Sequence, residues 1–285
     1  MSAVAFDHAI IFVPNLSQAI NQFTRLGFNV MPGGEHDHTH NALIIFNDRA
    51  YIELLALKPT WYRPLLRVAV MLGIISRIAE GKLDVSWRLM RWITQRYGAI
   101  DWCISVDNVD AALEYLKPFE VSALQSQTQQ RQRPDGKVAR WILGSPKNLD
   151  LPFLIHDETP VEIRAPMGDH TKHPNGAQFI KQLNISLTQP RPGAQHVNNV
   201  VSNGSGVDDS LNDSVNRLMG FLSALAAKNC VNQHTIELGK TTICVAKQSD
   251  AMGKFSLELS YDGDKPQQLD CGNATIWLIP NSGSD

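Results

Sequence analysis

The chain has 285 residues, 43% hydrophobic and 19% charged, which fits one large or two smaller folded domains and excludes an intrinsically disordered chain. A net charge of −2 and a pI near 6.5 give no global argument for nucleic acid or an anionic membrane as partner. The longest apolar run, residues 68–75, falls far short of the ~20 residues that span a bilayer, and MSAVAFDH shows no secretory-signal pattern, so a cytoplasmic location is expected.

Residues 6–13 are apolar apart from Asp7 and His8, and Pro14-Asn15 ends them as a strand-to-helix turn would. Leu16, Ala19, Ile20, Phe23 and Leu26 then form one apolar helix face, closed by Gly27 in the place of a C-cap glycine. A brief strand over 28–31 is expected to break at Pro32-Gly33-Gly34. His36, His38 and His40 follow two residues apart, which an extended backbone points to one side, with His36 and His38 expected in solvent. Strands over 41–46 and 51–57 are joined by the turn residues Asn47, Asp48 and Arg49.

This first unit, 1–57, places His8 in its first strand and Glu53 in its last. Burying either group without a partner costs several kcal/mol, on the order of the penalty for a lost polar contact in an apolar medium. A metal ion, a polar pair in a binding cavity and a structural hydrogen bond are the three ways to offset that cost.

Residues 58–97 change character: eight Lys or Arg stand against Glu80 and Asp84, so the segment carries +6 and the remainder −8. Leu65, Leu66, Val70, Ile74, Ile75 and Ile78 suggest one helix, and Trp87, Leu89, Met90, Trp92 and Ile93 another. The segment reads as a helical insertion. Its arginines with Trp61, Trp87 and Trp92 either form solvated basic faces or wall a pocket for an anionic or aromatic ligand.

Over 98–158 the opening pattern returns, with IDWCISVDN matching AFDHAIIFVPN and Trp102 standing under His8. Val109, Ala112, Leu113 and Leu116 repeat the helix spacing up to Pro118, and strands follow at 121–124, 137–143 and 151–156. Arg131 and Arg133, flanking the RPDGK turn, are expected in solvent. Arg140 lies within a strand, from which an inward guanidinium forks to a carboxylate or phosphate. Residues 159–175 read as a linker rich in Pro, Gly and charge. Residues 176–285 read as a third, diverged copy, with a long loop at 189–209, a helix carrying Val215, Leu218, Met219, Leu222 and Leu225, and strands at 234–246, 255–261 and 274–279. The cysteines, Cys103, Cys230, Cys244 and Cys271, have no ligand-like spacing and are expected as buried thiols.

A unit that opens FDHAIIFVPNL, passes THNALIIF, closes YIELLAL and then repeats, with HPNG at residues 173–176, resembles the vicinal-oxygen-chelate superfamily in its glyoxalase-like branch. The resemblance implies an α+β fold of repeated βαβββ modules paired into an open, barrel-like sheet, each module ordered 1-4-3-2. It implies a divalent metal ion, Zn, Mn, Fe, Co or Ni, held by His8, Glu53 and His40, with Glu53 also the catalytic base and His40 and Arg140 touching substrate. The second module departs from the pattern: Trp102 replaces a histidine, Leu154 or Ile155 replaces the glutamate, and His156 is out of register. Three functions follow: a metal-dependent lyase, isomerase or dioxygenase acting on a small vicinal-oxygen compound; a metal-free small-molecule binding or sequestering protein; or a scaffold whose third repeat mediates dimerisation. The expected partners are a small anionic ligand and a second copy of the chain, with neither nucleic acid nor membrane.

Overall fold

In a computed structural model the chain is described over residues 4–35, 38–58, 63–80, 84–115, 123–133, 135–186, 206–226, 234–246, 253–271 and 274–281. His36, Trp61, Leu116, Pro118, Cys230 and residues 187–205 of the long loop lie outside these. The first module is β1 (Ala5–Phe12), α1 (Leu16–Arg25), β2 (Met31–Glu35), β3 (Thr39–Ile45) and β4 (Tyr51–Leu57). Asn15 caps α1, its Oδ1 accepting the Gln18 N–H at 3.0 Å, and the helix buries Leu16, Ala19 and Phe23. β2 begins where its strand was expected to end and runs through Pro32-Gly33-Gly34. The two glycines serve close approach inside the strand rather than breaking it.

Among its described residues the insertion shows three helices, α2 (Arg63–Met71), α3 (Ile74–Glu80) and α4 (Ser86–Trp92), because the single helix expected over 65–78 divides at Gly73. The second module follows as β5 (Gly98–Ser105), α5 (Val109–Tyr115), β6 (Ala123–Gln132), β7 (Val138–Pro146) and β8 (Phe153–Asp157). β1 pairs antiparallel with β5, which joins the modules into one eight-stranded sheet of order β2-β3-β4-β1-β5-β8-β7-β6. Each half therefore has the 1-4-3-2 order, with first and last strands parallel neighbours. The end strands β2 and β6 approach each other, so the α+β sheet curls into an open barrel.

The last third carries β9 (Ala177–Ser186), α7 (Gly206–Ala226), β10 (Thr235–Leu238), β11 (Thr241–Ala246), β12 (Phe255–Tyr261), β13 (Gln267–Asp270) and β14 (Thr275–Pro280). Its sheet has the order β10-β11-β9-β12-β14-β13. β9 is parallel to β11, β12 is parallel to β14, and β9 and β12 meet antiparallel. Among the described residues, the region read as one diverged module shows two sets of three strands that meet as β1 and β5 do, where the first two modules show four each. The barrel face away from the interior is dry: Phe6, Ala9, Ile11 and Ile104 share one core with α1, α5, α7 and the second sheet's Leu183, Leu257 and Ile276. Among the described residues no helix is long and apolar enough to cross a membrane.

Residues 159–175, expected as a linker, are docked against the first module. They form α6 (Val161–Arg164) and a 3-10 turn at Asp169–Thr171, then turn back at His173. His173 Nδ1 accepts the Asn29 N–H at 3.1 Å, and the Phe28 and Phe46 rings meet its imidazole edge-on. Asn175 donates from Nδ2 to the Leu26 carbonyl at 2.9 Å and from its backbone to the Gly27 carbonyl at 3.1 Å. Gly27 has φ +82°, and a Cβ there would lie 2.8 Å from that of Asn175. The apparent helix cap is therefore also the seat of the HPNG turn.

Burial pushes the His173 pKa from its ordinary 6.5 down to about 4. Between these values the unfolded chain binds a proton that the native state does not, so this contribution to stability is complete above pH 6.5 and is lost as pH falls towards 4. In thermal unfolding from pH 7 to pH 4, His173→Gln is expected to lose less stability across that window than the wild type. Parallel pH profiles for the two proteins would contradict it.

Candidate functional site

The concave face of the eight-stranded sheet and α4 enclose a cavity of about 600 Å3. The period of two along each strand chooses its lining: His8 from β1, Tyr51, Glu53 and Leu55 from β4, Asn41 and Leu43 from β3, Phe153 and Ile155 from β8. Trp141 and Leu143 of β7 and Gln127, Gln129 and Arg131 of β6 form the far wall. Leu89, Met90, Trp92 and Ile93 of the insertion close it from above.

His8 is buried at 3% exposure, stacked on Tyr51 with ring centroids 4.5 Å apart and met edge-on by Phe153 at 5.3 Å. Its Nδ1 lies 2.6 Å from Asp7 Oδ1. Asp7 is the extra residue at a register shift between Phe6 and His8, which lets two consecutive side chains reach the same cluster. Burial alone would raise the Asp7 pKa, but Arg164 and His8 outweigh it and hold the carboxyl far below its usual range. An ionised Asp7 can only accept, so the His8 Nδ1 carries the hydrogen, and in the neutral ring Nε2 presents a lone pair.

That lone pair faces Glu53, whose Oε2 is 3.8 Å from His8 Nε2. The distance is too long for a hydrogen bond. Glu53 Oε1 accepts from Asn41 Nδ2 at 2.6 Å, and Asn41 Oδ1 accepts the Gly34 N–H at 2.6 Å. A Cβ on Gly33 would run into Asn41 Oδ1, so the Pro-Gly-Gly stretch makes room for the residue that holds Glu53.

Arg164, from the docked 159–175 segment, clamps the other side. Its Nη1 and Nη2 donate to Asp7 Oδ1 and Oδ2 at 2.9 and 2.8 Å, its Nε and Nη2 to Asp157 at 2.7 Å each, and Nη1 to the Tyr51 hydroxyl at 2.8 Å. Burial works against the guanidinium charge, yet Asp7 and its other partners raise its pKa well above the ordinary value. Burial likewise pushes the Tyr51 phenol up, so it stays neutral.

The residues expected at the site divide. His8 and Glu53 come together. His40 lies between Thr39 and Asn41, which line the cavity, so its side chain projects to the opposite face with those of Ala42 and Ile44. Arg140 is exposed on the outside of the β6–β7 hairpin, where its N–H donates to Thr159 Oγ1 at 3.0 Å. Arg131, expected in solvent, is 8% exposed and lines the cavity. Trp102 packs near Phe6 on the dry face, and Cys103 is the β5 residue opposite His8. His156 turns its Nδ1 towards the Val106 carbonyl at 3.2 Å while Ile155 faces the cavity.

Two donor sets come into question for a metal ion. Among the described residues, Asp7, His8 and Cys103 offer ligand atoms within 4.8 Å of one another. They fit poorly: Arg164 occupies both Asp7 oxygens, and burial together with Asp7 pushes the Cys103 thiol well above its usual pKa, away from the thiolate a metal needs. His8 Nε2 and Glu53 Oε2 fit better. Imidazole and carboxylate bind such ions at ~2.0–2.2 Å, so two donors on one ion stand roughly 3–4 Å apart, and both carry the backing hydrogen bonds expected behind metal ligands.

Residues 6–201 match the model of the glyoxalase-like domain, and the chain belongs to that family, with the fold of the vicinal-oxygen-chelate superfamily. No curated protein matches it. Among solved structures, a hypothetical protein from Staphylococcus aureus shares 17% identity over 98% of this chain and 100% of its own, with a TM-score of 0.65. Homoprotocatechuate 2,3-dioxygenase from Arthrobacter globiformis shares 10% over 98% of this chain and 80% of its own, with a TM-score of 0.47. A methylmalonyl-CoA epimerase from Streptomyces coelicolor shares 17% over 55% of this chain and 100% of its own, with a TM-score of 0.34. At these identities the likeness is one of fold, and it rests on the Staphylococcus aureus protein.

Removing Arg164 takes the cation from the buried Asp7 and the half-buried Asp157. Arg164→Met is expected to destabilise the protein by about 3–5 kcal/mol in urea unfolding. A loss under about 1 kcal/mol would show that water or rearrangement replaces the clamp.

Proposed function

We propose that the protein is a metal-dependent enzyme, a lyase, isomerase or dioxygenase, that acts on a small compound with two neighbouring oxygens. The observation that carries this reading is the separation of 3.8 Å between His8 Nε2 and Glu53 Oε2, a buried and a half-buried group that face each other without a hydrogen bond. His8 and Glu53 would hold the divalent ion, and imidazole with carboxylate suits Zn, Mn, Fe, Co or Ni. When bound, such an ion supplies Lewis acidity towards the ligand oxygens.

The chain's own groups do the rest. Asp7, kept ionised by Arg164, fixes the His8 ring so that Nε2 and not Nδ1 points into the cavity. Asn41 pins Glu53 Oε1 and leaves Oε2 turned towards His8, where it would serve the ion as a ligand or, released from it, take or return a proton. Leu43, Leu55, Trp141 and Phe153 exclude water around this pair, which strengthens each polar contact made there.

A second reading, metal-free binding of a small molecule, is favoured by one observation: the second module offers Cys103, Phe153 and Ile155 where further imidazole or carboxylate donors would be needed.

Metal analysis of protein purified without chelator separates the two. The first reading expects stoichiometric metal in the wild type and its loss in both His8→Ala and Glu53→Gln. Wild type that stays metal-free after exposure to Zn, Mn, Fe, Co and Ni supports the second, and metal retained in both variants contradicts these ligands.

A further inference from the structure

We propose that the ligand of this cavity is an organic acid with a flat apolar body, and that Arg131 receives its carboxylate. The proposal rests on the reading of the cavity as the small-molecule site, and not on the metal.

Among the described residues, three arginines are buried, and two of them are paired with carboxylates. Arg88 donates from Nε to Asp101 at 2.7 Å, and Arg164 holds Asp7 and Asp157. Arg131 differs. Its Nη2 donates to the Arg164 carbonyl at 3.0 Å, its Nε has no hydrogen-bond partner, and among the described residues no carboxylate forms an ion pair with it. Glu53 lies near enough to favour its charge but makes no ion pair with it, so burial still costs the guanidinium. The guanidinium has no accessible neutral form with which to avoid that cost. An anion entering the cavity offsets it.

The surroundings are shaped for this side chain. Arg131 reaches from β6 across the barrel opening to β2, where a Cβ on Gly34 would run into its Cδ. Glycine at that position is what lets the guanidinium lie inside the cavity rather than outside the hairpin. The same cavity is lined by Trp141, Phe153 and Trp92, with Leu43 and Leu55. Such walls favour a planar apolar body, and the planar fork of arginine favours a carboxylate.

The test uses benzoylformate, its neutral methyl ester and inorganic phosphate, added to chelator-treated full-length protein, with tryptophan fluorescence and calorimetry as readouts. Benzoylformate is expected to bind saturably and at least about tenfold more tightly than the ester, the range of one charge-assisted contact. Arg131→Met is expected to lose that tenfold for the acid and leave ester binding unchanged. Gly34→Ala, which displaces the guanidinium without removing it, is expected to weaken acid binding in the same direction and keeps the test decisive if Arg131→Met does not fold. Equal binding of acid and ester, no binding of either at millimolar concentration, phosphate binding as tightly as the acid, or acid binding that survives both substitutions would each overturn the proposal. Because the protein is metal-free throughout, failure here leaves the metal measurements on His8→Ala and Glu53→Gln standing, and their failure leaves this result standing.

Discussion

The double ion pair of Arg164 with Asp7 and Asp157 is the constraint to which the rest of the site answers. One guanidinium, 3% exposed, ties the first strand of module one to the last strand of module two through a segment outside both. Taking three charges out of water is costly, and apolar replacements often match such clusters in stability. What the ions supply here is orientation. Asp7 remains charged, its charge selects the His8 tautomer, and the Tyr51 hydroxyl is anchored so that its ring supports the imidazole. The His8 side of the site is thus oriented by a residue whose hydrogen bonds go to Asp7 and Tyr51, while Asn41 holds the Glu53 side.

The two modules divide the labour unequally. Module one supplies the donors, His8, Glu53 and Asn41, while module two supplies Cys103, Phe153, Ile155, Trp141 and the buried Arg131. The barrel pairs them because β1 and β5 meet antiparallel at its centre and β2 and β6 approach at its mouth. α4 roofs the cavity, so the insertion belongs to the site through its Leu89, Met90 and Trp92 rather than through its charges. The second sheet covers the outer face and lets the inner face stay open.

Local periodicity made β1, α1 and β4 legible, together with His8 and Glu53, because two polar residues in otherwise apolar strands stand out; the 1-4-3-2 order was legible only through the family resemblance. Parity was harder. His40 and Asn41 are adjacent, and only the cross-strand register, with Leu43 opposite Glu53, shows that Asn41 shares the face of the glutamate. Arg131 and Arg140 flank one turn, and a register shift between Leu124 and Gln127 blocks counting along β6 from its start. Arg164 could not be found locally at all, since its partner Asp7 is 157 residues away. The Pro-Gly-Gly stretch resembles a strand break because glycine serves turns and close approach alike, and only the neighbouring Asn41 and Arg131 side chains tell which. In the last third, helix and strand signals were visible, but the described residues show only three strands per unit, which blurs the boundary between the two.

The central claim is that a buried charge relay, Arg164 to Asp7 to His8, presents the His8 Nε2 to the cavity. Nitrogen-15 NMR of the histidine rings in metal-free protein, with His8 assigned by its absence in His8→Ala, observes this directly. The account predicts that the neutral His8 ring carries its proton on Nδ1 and leaves Nε2 unprotonated. A neutral His8 found with its proton on Nε2 would contradict it.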